Sequence, residues 1–199
     1  MAGIESYLSE TEQIVVLNKY NIHDIALHQK KVAHYAVKLF DSMKEYYKFA
    51  EKDRDILYYS ALLHDIGYFI NKQGHHKHTK YLILTEPMLN KIPKDIKILI
   101  AFIAGGHRKS IDHGIKIYPD EIQLKILQLI ALLRISDALD HTHKLKISLE
   151  KIELKNKTLK LSINGEKTIK IINKFEKKST LFRKVFNIPI ELEHNHLLF

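Results

Sequence analysis

The spacing of the hydrophobic residues in this chain changes once, near residue 144. Before that point they recur mostly every three or four positions, which is typical of amphipathic helices. After it, apolar residues alternate with lysine and serine, which is typical of strands with one solvated face. The sequence therefore predicts a mainly α protein, with a helical body over residues 1–144 and a small α+β segment over 145–199 packed on it.

Local signals place the individual elements. Helical stretches are predicted at 32–40, 56–63, 81–89, 96–103 and 119–140, and Pro87 is expected to bend or end the third of them. The C-terminal segment is predicted to contain strands at 145–149, 152–154 and 159–163, a tight turn at 156–157, helices at 166–178 and 180–186, and an edge strand at 188–190.

The composition excludes several classes of protein. The chain has 199 residues, of which 45% are hydrophobic, and this excludes a disordered polypeptide. It has no cysteine, so disulfide scaffolds, thiolate metal sites and cysteine catalysis are excluded. The N-terminal segment lacks the pattern of a signal peptide and no apolar run is long enough to span a membrane, so we expect a cytoplasmic protein without a membrane partner. Its richness in Ile, Lys and Glu fits a thermophile or an AT-rich genome.

Positive charge is concentrated towards the C-terminal end. The whole chain has a formal charge of +9, and residues 141–199 carry 13 Lys/Arg against 6 Asp/Glu. A basic segment of this kind attracts nucleic acid, polyphosphate or anionic lipid. The alternative is a solvated, lysine-rich surface, and the composition does not choose between the two.

Histidine and aspartate residues interrupt three of the apolar helical faces. His64 and Asp65 end an apolar stretch, His28 lies one turn before another, and Asp137 lies within 131–140. A buried His–Asp pair is costly without partners, and ligands on several helices can converge inside a bundle, so these residues predict a metal site. Imidazole and carboxylate ligands suit Mn²⁺, Fe²⁺, Co²⁺, Ni²⁺ or Zn²⁺, with Mg²⁺ as a further candidate. The alternative is a helix-end histidine followed by a capping aspartate.

These residues and the sequence segments around them resemble those of a known protein family. The pattern His28, His64-Asp65, Asp137 resembles the H…HD…D pattern of HD-domain metal-dependent phosphohydrolases. The surrounding sequence segments resemble the C-terminal HD domain of the exopolyphosphatase/guanosine pentaphosphate phosphatase family, from about residue 28 to the end of the chain. These segments are HQKKVAHYAVKLFD (28–41), ALLHDIGYFI (61–70), HHKHTKYLI (75–83), HRKS (107–110) and LLRISDALDHTH (132–143).

The resemblance implies an HD-domain helical bundle, a divalent metal and a homodimer. Full-length members of that family also carry a separate actin-like catalytic fold with phosphate-binding loops. No glycine-rich phosphate loop occurs in these 199 residues. The activity of the actin-like fold is therefore not inferred for this chain.

A second group of histidines opens the helix that follows the His–Asp pair. His75, His76, Lys77 and His78 lie where a helix N-terminus would attract phosphate through its dipole, its N–H donors and its charge. The resemblance also implies that His75 or His76, together with His107 and with His78 as a further candidate, could bind a second metal or phosphate. The spacing does not choose among these histidines, and a solvated helix start is the alternative.

Basic residues nearby are candidates for phosphate binding. Arg108 and Lys109 would place positive charge beside the site, unless they are simply exposed loop residues. Arg134 either pairs with an acidic neighbour or approaches phosphate. Asp140 and His141 are interpreted as the end of a helix. The remaining histidines are interpreted as surface or packing residues: His23, His34, His113, His143, His194 and His196.

Three functions fit these patterns. The one we favour is a metal-dependent phosphohydrolase acting on a nucleotide or another phosphorylated compound, in which His28, His64, Asp65 and Asp137 hold metal and His64 and Asp65 take part in catalysis. The second is a non-catalytic module that binds polyphosphate, a guanosine tetra- or pentaphosphate, or another polyanion. The third is a dimerisation domain whose histidine cluster is a relic, which predicts no tightly held metal.

Overall fold

A computed structural model describes residues 7–22, 25–144, 146–165 and 169–194. Six α-helices form the described part of the body, with short 3-10 helices between several of them. The helices are α1 (Glu10–Lys19), α2 (Ile25–Tyr47), α3 (Glu51–Leu63), α4 (His75–Thr85), α5 (Lys94–Gly105) and α6 (Asp120–Leu139). The residues of α6 from Gln128 to Leu139 are all buried, because α2, α3 and α5 pack around this helix. The α6 helix is therefore the centre of the bundle.

The helix ends agree with the local sequence signals. Ser9 caps α1 and forms a capping box with Glu12. The α4 helix ends at Thr85, and Pro87 starts a separate 3-10 turn, as predicted. The α5 and α6 helices begin directly after Pro93 and Pro119. The predicted class, mainly α with a small α+β segment at the C-terminal end, is confirmed.

Within the described residues, the C-terminal segment contains three strands and one helix. They are β1 (Ile147–Lys155), β2 (Thr158–Gly165), α7 (Ile169–Phe186) and β3 (Ile190–His194). β1 and β2 are antiparallel, and β3 adds to β2 in parallel at the edge of the sheet. The turn between β1 and β2 is tight as predicted, and Asn156 and Lys157 both adopt positive φ, at 51° and 59°.

Two predicted divisions of this segment are wrong. The strands predicted at 145–149 and 152–154 are one strand, β1, whose register shifts between Leu149 and Lys151. The two predicted helices are one continuous helix, α7. Ser179, at the predicted break, lies buried inside this helix, and its hydroxyl donates to the carbonyl of Phe175 within the same helix. Residues 166–168, where the first of them was expected to begin, lie outside the described ranges.

Contacts of α2 and α6 attach the C-terminal segment to the body. The hydroxyl of Tyr35 on α2 donates to the carbonyl of Ile147 on β1 at 2.7 Å. The α7 helix packs along α6 with an apolar face that includes Phe175 and Phe182. This packing also places buried polar residues of α7 near the C-terminal half of α6. Within the described ranges, no helix is both long and apolar enough to cross a bilayer.

Candidate metal centre

Three helices bring the first group of predicted ligands together. His64 caps the C-terminal end of α3 and Asp65 follows it, His28 lies in the first turn of α2, and Asp137 lies near the end of α6. All four side chains are buried. The Nε2 atoms of His28 and His64 are 3.3 Å apart. Oδ2 of Asp65 is 3.7 Å from His28 Nε2 and 3.4 Å from His64 Nε2. Oδ1 of Asp137 is also 3.7 Å from His28 Nε2.

A second group uses the other oxygen of Asp65. Oδ1 of Asp65 is 3.2 Å from Nε2 of His75 and 3.4 Å from Nε2 of His107. These two histidine nitrogens are 2.9 Å apart. His75 is the first residue of α4, and His107 follows the end of α5. Asp65 therefore contributes one carboxylate oxygen to each of two histidine pairs.

A close approach of backbone segments holds the second group in place. A Cβ atom on Gly67 would lie only 2.0 Å from the carbonyl oxygen of His75 and 2.4 Å from the amide nitrogen of Thr79. The Thr79 hydroxyl donates to the carbonyl of His64 at 2.8 Å and accepts from the amide of Gly67 at 3.1 Å. The N-terminal turn of α4 thus packs directly against the segment that follows the His–Asp pair, which requires glycine at position 67.

The hydrogen bonds of the four rings define their tautomers. In each ring Nδ1 faces an oxygen that can only accept, so Nδ1 carries the proton and, in the neutral ring, Nε2 carries a lone pair. The acceptors are a carboxylate oxygen of Asp140 for His28 at 2.8 Å, and the carbonyls of Ala61 for His64 at 2.7 Å, of Lys72 for His75 at 3.0 Å and of Ala104 for His107 at 2.6 Å. Two facing lone pairs cannot hydrogen-bond to each other, so each close Nε2 pair could hold a shared cation.

The ionisation states of several residues in the cluster also suit metal binding. Burial lowers the pKa of His28, although its hydrogen bond to Asp140 opposes the change. Burial also lowers the pKa of His107 well below its usual value. For Asp65, burial favours the protonated form, but the neighbouring His64 and His75 outweigh it and hold the pKa well below the usual range. The shifts of His28 and His107 favour the neutral imidazole, and that of Asp65 favours the ionised carboxylate; these are the forms that bind metal.

The donor set fits one or two divalent transition-metal ions. Donor atoms of His28, His64 and Asp65 lie within 4.8 Å of one another, as do those of Asp65, His75 and His107. Imidazole nitrogen with carboxylate oxygen is the ligand combination of Mn²⁺, Fe²⁺, Co²⁺, Ni²⁺ and Zn²⁺, whereas Mg²⁺ prefers oxygen alone.

The sequence interpretation missed a structural role for Asp140. This residue is the C-cap of α6, as the sequence predicts, but it is also buried and accepts the Nδ1 proton of His28. A carboxylate in this position orients a metal-binding imidazole and increases its basicity. Its place three residues after Asp137 was the available signal, since residues three apart share a helical face. The ring of His143 stacks on the ring of His28, nearly parallel to it and with 3.8 Å between centroids.

Two buried basic side chains, Lys178 and Arg134, lie towards the C-terminal half of α6, which carries Asp137. Lys178 of α7 forms an ion pair with Oδ2 of Asp137. Burial lowers the pKa of Lys178 to about 7, and the positive charges of Arg108 and Arg134 act in the same direction. Burial lowers the pKa of Arg134 to about 10, so this side chain stays charged at neutral pH. No sequence signal singled out Lys178, which is one of many lysines in a basic segment.

The other predicted site residues lie at the edge of the centre or away from it. His76 and Lys77 line a groove with Lys80 and Phe102. His78 is half-buried and takes no part in either histidine pair, while Arg108 and Lys109 are exposed. His34, His113 and His143 are exposed residues, and His141 is half-buried. His23 and the side chains of His194 and His196 lie outside the described part of the chain.

Comparison with known proteins assigns the chain to a family. The sequence model described as Ppx/GppA phosphatase, domain III, matches residues 13–183. The match includes the six histidine and aspartate residues of the two groups, as well as Asp140 and Lys178. No curated protein matches the chain.

Proposed function

The chain belongs to the family of domain III of the Ppx/GppA phosphatases. We propose that it is an HD-type metal-dependent phosphohydrolase. Its substrate would be a nucleotide, polyphosphate or another phosphorylated compound. The observation that carries the proposal is Asp65, whose two carboxylate oxygens face two separate pairs of unprotonated histidine nitrogens. Maintaining such a buried cluster without a cation costs free energy, so a relic would not be expected to keep it.

In this proposal the protein side chains have distinct roles. His28, His64, Asp65 and Asp137 hold a first divalent ion, and His75 and His107 with Asp65 hold a second. The chemistry supplied at such a centre is activation of water and polarisation of a phosphoryl oxygen. Asp140 keeps the His28 ring in the tautomer that offers Nε2 to the metal. Arg108, exposed beside His107, adds positive charge that favours an anionic substrate.

The proposal is tested by metal analysis together with a hydrolysis screen. Purified protein should contain about one or two transition-metal ions per chain, and nucleotides and polyphosphate should be assayed with added Mn²⁺, Co²⁺, Ni²⁺ and Mg²⁺. Turnover that a chelator stops and metal restores is the expected result. The D65N variant should lose both metal and turnover, whereas H78A, which changes a histidine outside both pairs, should keep them. Folded protein without metal or turnover would contradict the proposal.

The second candidate is a binding module for a polyanion, favoured by the positive charge around the centre. Burial and then the positive charge of Arg108 lower the pKa of both Lys174 and Lys178, so Arg108 lies near each of them, and the C-terminal segment is basic. Such a module would bind polyphosphate or a guanosine polyphosphate without turnover, with an affinity that falls steeply as salt increases. Binding without hydrolysis by metal-loaded protein would favour this candidate. Sedimentation analysis of the same sample would test the predicted homodimer.

A further inference from the structure

We infer that Arg134 of α6 and Lys178 of α7 form a subsite for a tetrahedral oxyanion beside the metal centre. The inference rests on the proposed function in one respect, because it identifies that anion as a phosphoryl group of the substrate. It adds a ligand site that spans the two parts of the fold. The helical body supplies one cation, and the C-terminal segment supplies the other.

The guanidinium of Arg134 is buried and incompletely paired. Its Nε donates to the carbonyl of Gly106 at 2.8 Å, while its Nη2 has no hydrogen-bond acceptor among the described residues. Only 9% of the residue is exposed. A buried charged donor without an acceptor is unfavourable, and an incoming anion would relieve that cost. The acidic partner that the sequence left open for Arg134 is not found in the described part of the chain.

The position of Arg134 directs it to the metal centre. It lies one turn before Asp137 on α6, so the two side chains share a helical face. Its carbonyl partner, Gly106, immediately precedes His107. A Cβ atom on Gly106 would lie 2.7 Å from Cδ1 of Ile130, so the end of α5 packs tightly against α6 at this point. Arg134 therefore lies on the face of α6 that carries Asp137, and its hydrogen bond ties it to the residue that precedes His107.

Lys178 approaches the same centre from the other side. Its ammonium contacts Oδ2 of Asp137, while Oδ1 of that carboxylate faces His28. An ammonium has three N–H donors, and the described residues give Lys178 no acceptor besides Asp137. Besides burial, the charge of Arg134 lowers the pKa of Lys178, so the two side chains are close enough to interact electrostatically. Asp137 can thus serve the metal with one oxygen and keep Lys178 in place with the other.

The chemical class of the ligand follows from these groups. Lys178 is paired with the carboxylate of Asp137, and Arg134 has no carboxylate partner among the described residues, so the location has excess positive charge once Asp137 also serves a metal. A guanidinium donates to two oxygens of a tetrahedral anion at once, and an ammonium adds a point charge. Phosphate matches this combination in charge and shape better than a planar monoanion such as acetate. The alternative role for Lys178, that it only orients Asp137, predicts a different experimental result.

The test is calorimetric titration of inorganic phosphate into full-length protein, in Mn²⁺-loaded and in chelator-treated form. K178M and R134M remove one cation each, and K177M makes the same change at an exposed position of α7. We expect K178M and R134M each to weaken phosphate binding by about 10- to 100-fold, the range for a hydrogen bond to a charged group. K177M should bind as the wild type does, and K178R should recover part of the affinity. Acetate should bind weakly to every variant.

Metal content, measured first on each variant, separates the possible outcomes. Unchanged metal content with weakened phosphate binding supports the subsite. Loss of metal in K178M, with phosphate binding otherwise normal, would show that Lys178 only orients Asp137 and would overturn the inference. If the wild type holds no metal, the proposed function fails, and the chelator-treated titrations then decide the subsite separately. Where K178M does not fold, R134K and K178R supply the same comparison, and phosphate binding unaffected by either would overturn the inference.

Discussion

Nε2 of His75 and Nε2 of His107 lie 2.9 Å apart, although Nδ1 of each ring already donates to a backbone carbonyl. Two neutral rings in these tautomers present lone pairs to each other, which is repulsive unless a cation lies between them. His28 and His64 repeat the arrangement at 3.3 Å. The two pairs meet at the carboxylate of Asp65. Substitutions of individual residues in the two pairs, and of residues that support them, should therefore affect metal binding in different ways.

Variants of the centre should lose metal in different amounts. D65N should lose all of it, because both histidine pairs depend on that carboxylate. H107A should lose the ion of the second group and keep the first, whereas H28A should lose the first and keep the second. Elemental analysis after extensive dialysis provides the measurement, with H78A as a control that keeps full content. Equal loss in H107A and H28A would indicate one shared ion instead of two.

D140N should weaken metal binding without removing a ligand. The amide cannot stabilise the Nδ1 proton of His28 as the carboxylate does, so the ring becomes a poorer donor at Nε2. Changes of this kind typically lower metal affinity about 10- to 100-fold. Competition with a coloured chelator measures the affinity. D120N, at the exposed N-terminal end of the same helix, is the control, and an affinity loss of the same size there would remove the special role of Asp140.

G67A should disrupt the second group more than the first. The added Cβ would collide with backbone atoms of His75 and Thr79, which cannot move aside as the end of a flexible side chain can. We expect a loss of about 3 kcal/mol in the free energy of unfolding, together with loss of the ion held by His75 and His107. Urea denaturation and metal analysis test both effects. G105A is the matched control, because its Cβ would come no nearer than 3.3 Å to a neighbouring atom; a similar loss in G105A would contradict this explanation.

The metal-free protein should become less stable as the pH falls from about 6.5 to 4. Burial lowers the pKa of His28 and His107. His143 is partly exposed, but its ring stacks on that of His28, and the resulting desolvation lowers its pKa to about 4. Between these values and the unfolded value near 6.5, the unfolded chain binds more protons than the folded chain, so protonation favours unfolding. Above about pH 6.5 this stabilisation is fully present.

Urea denaturation of chelator-treated protein at pH 7.5, 6 and 5 measures this dependence. H107Q removes one of the buried titrating rings, so its free energy of unfolding should fall less steeply over the same range. H113Q changes an exposed ring and should follow the wild type. Stability that is independent of pH over this interval would contradict the assignment of neutral, buried histidines.

The sequence alone determined the fold class and the place of the first group of residues. The change in hydrophobic spacing near residue 144 separates helices from strands, because burial of one face imposes a period of 3.6 or of 2 on the chain itself. His64, Asp65 and Asp137 were identifiable because polar residues within apolar helical stretches are conspicuous. Pro87 likewise marked the end of one helix, and Pro119 the start of another, through local backbone chemistry.

Tertiary structure alone decided which groups meet. His75 and His76 are neighbours in sequence, yet only His75 faces Asp65, and the choice depends on how α4 packs against Gly67. Lys178 is one lysine among many until α7 packs along α6 and brings it to Asp137. Asp140 ends a helix by its local signal and orients His28 only through a contact between residues 112 positions apart. Spacing along the chain describes one helix at a time, whereas a contact between helices depends on the packing of all of them.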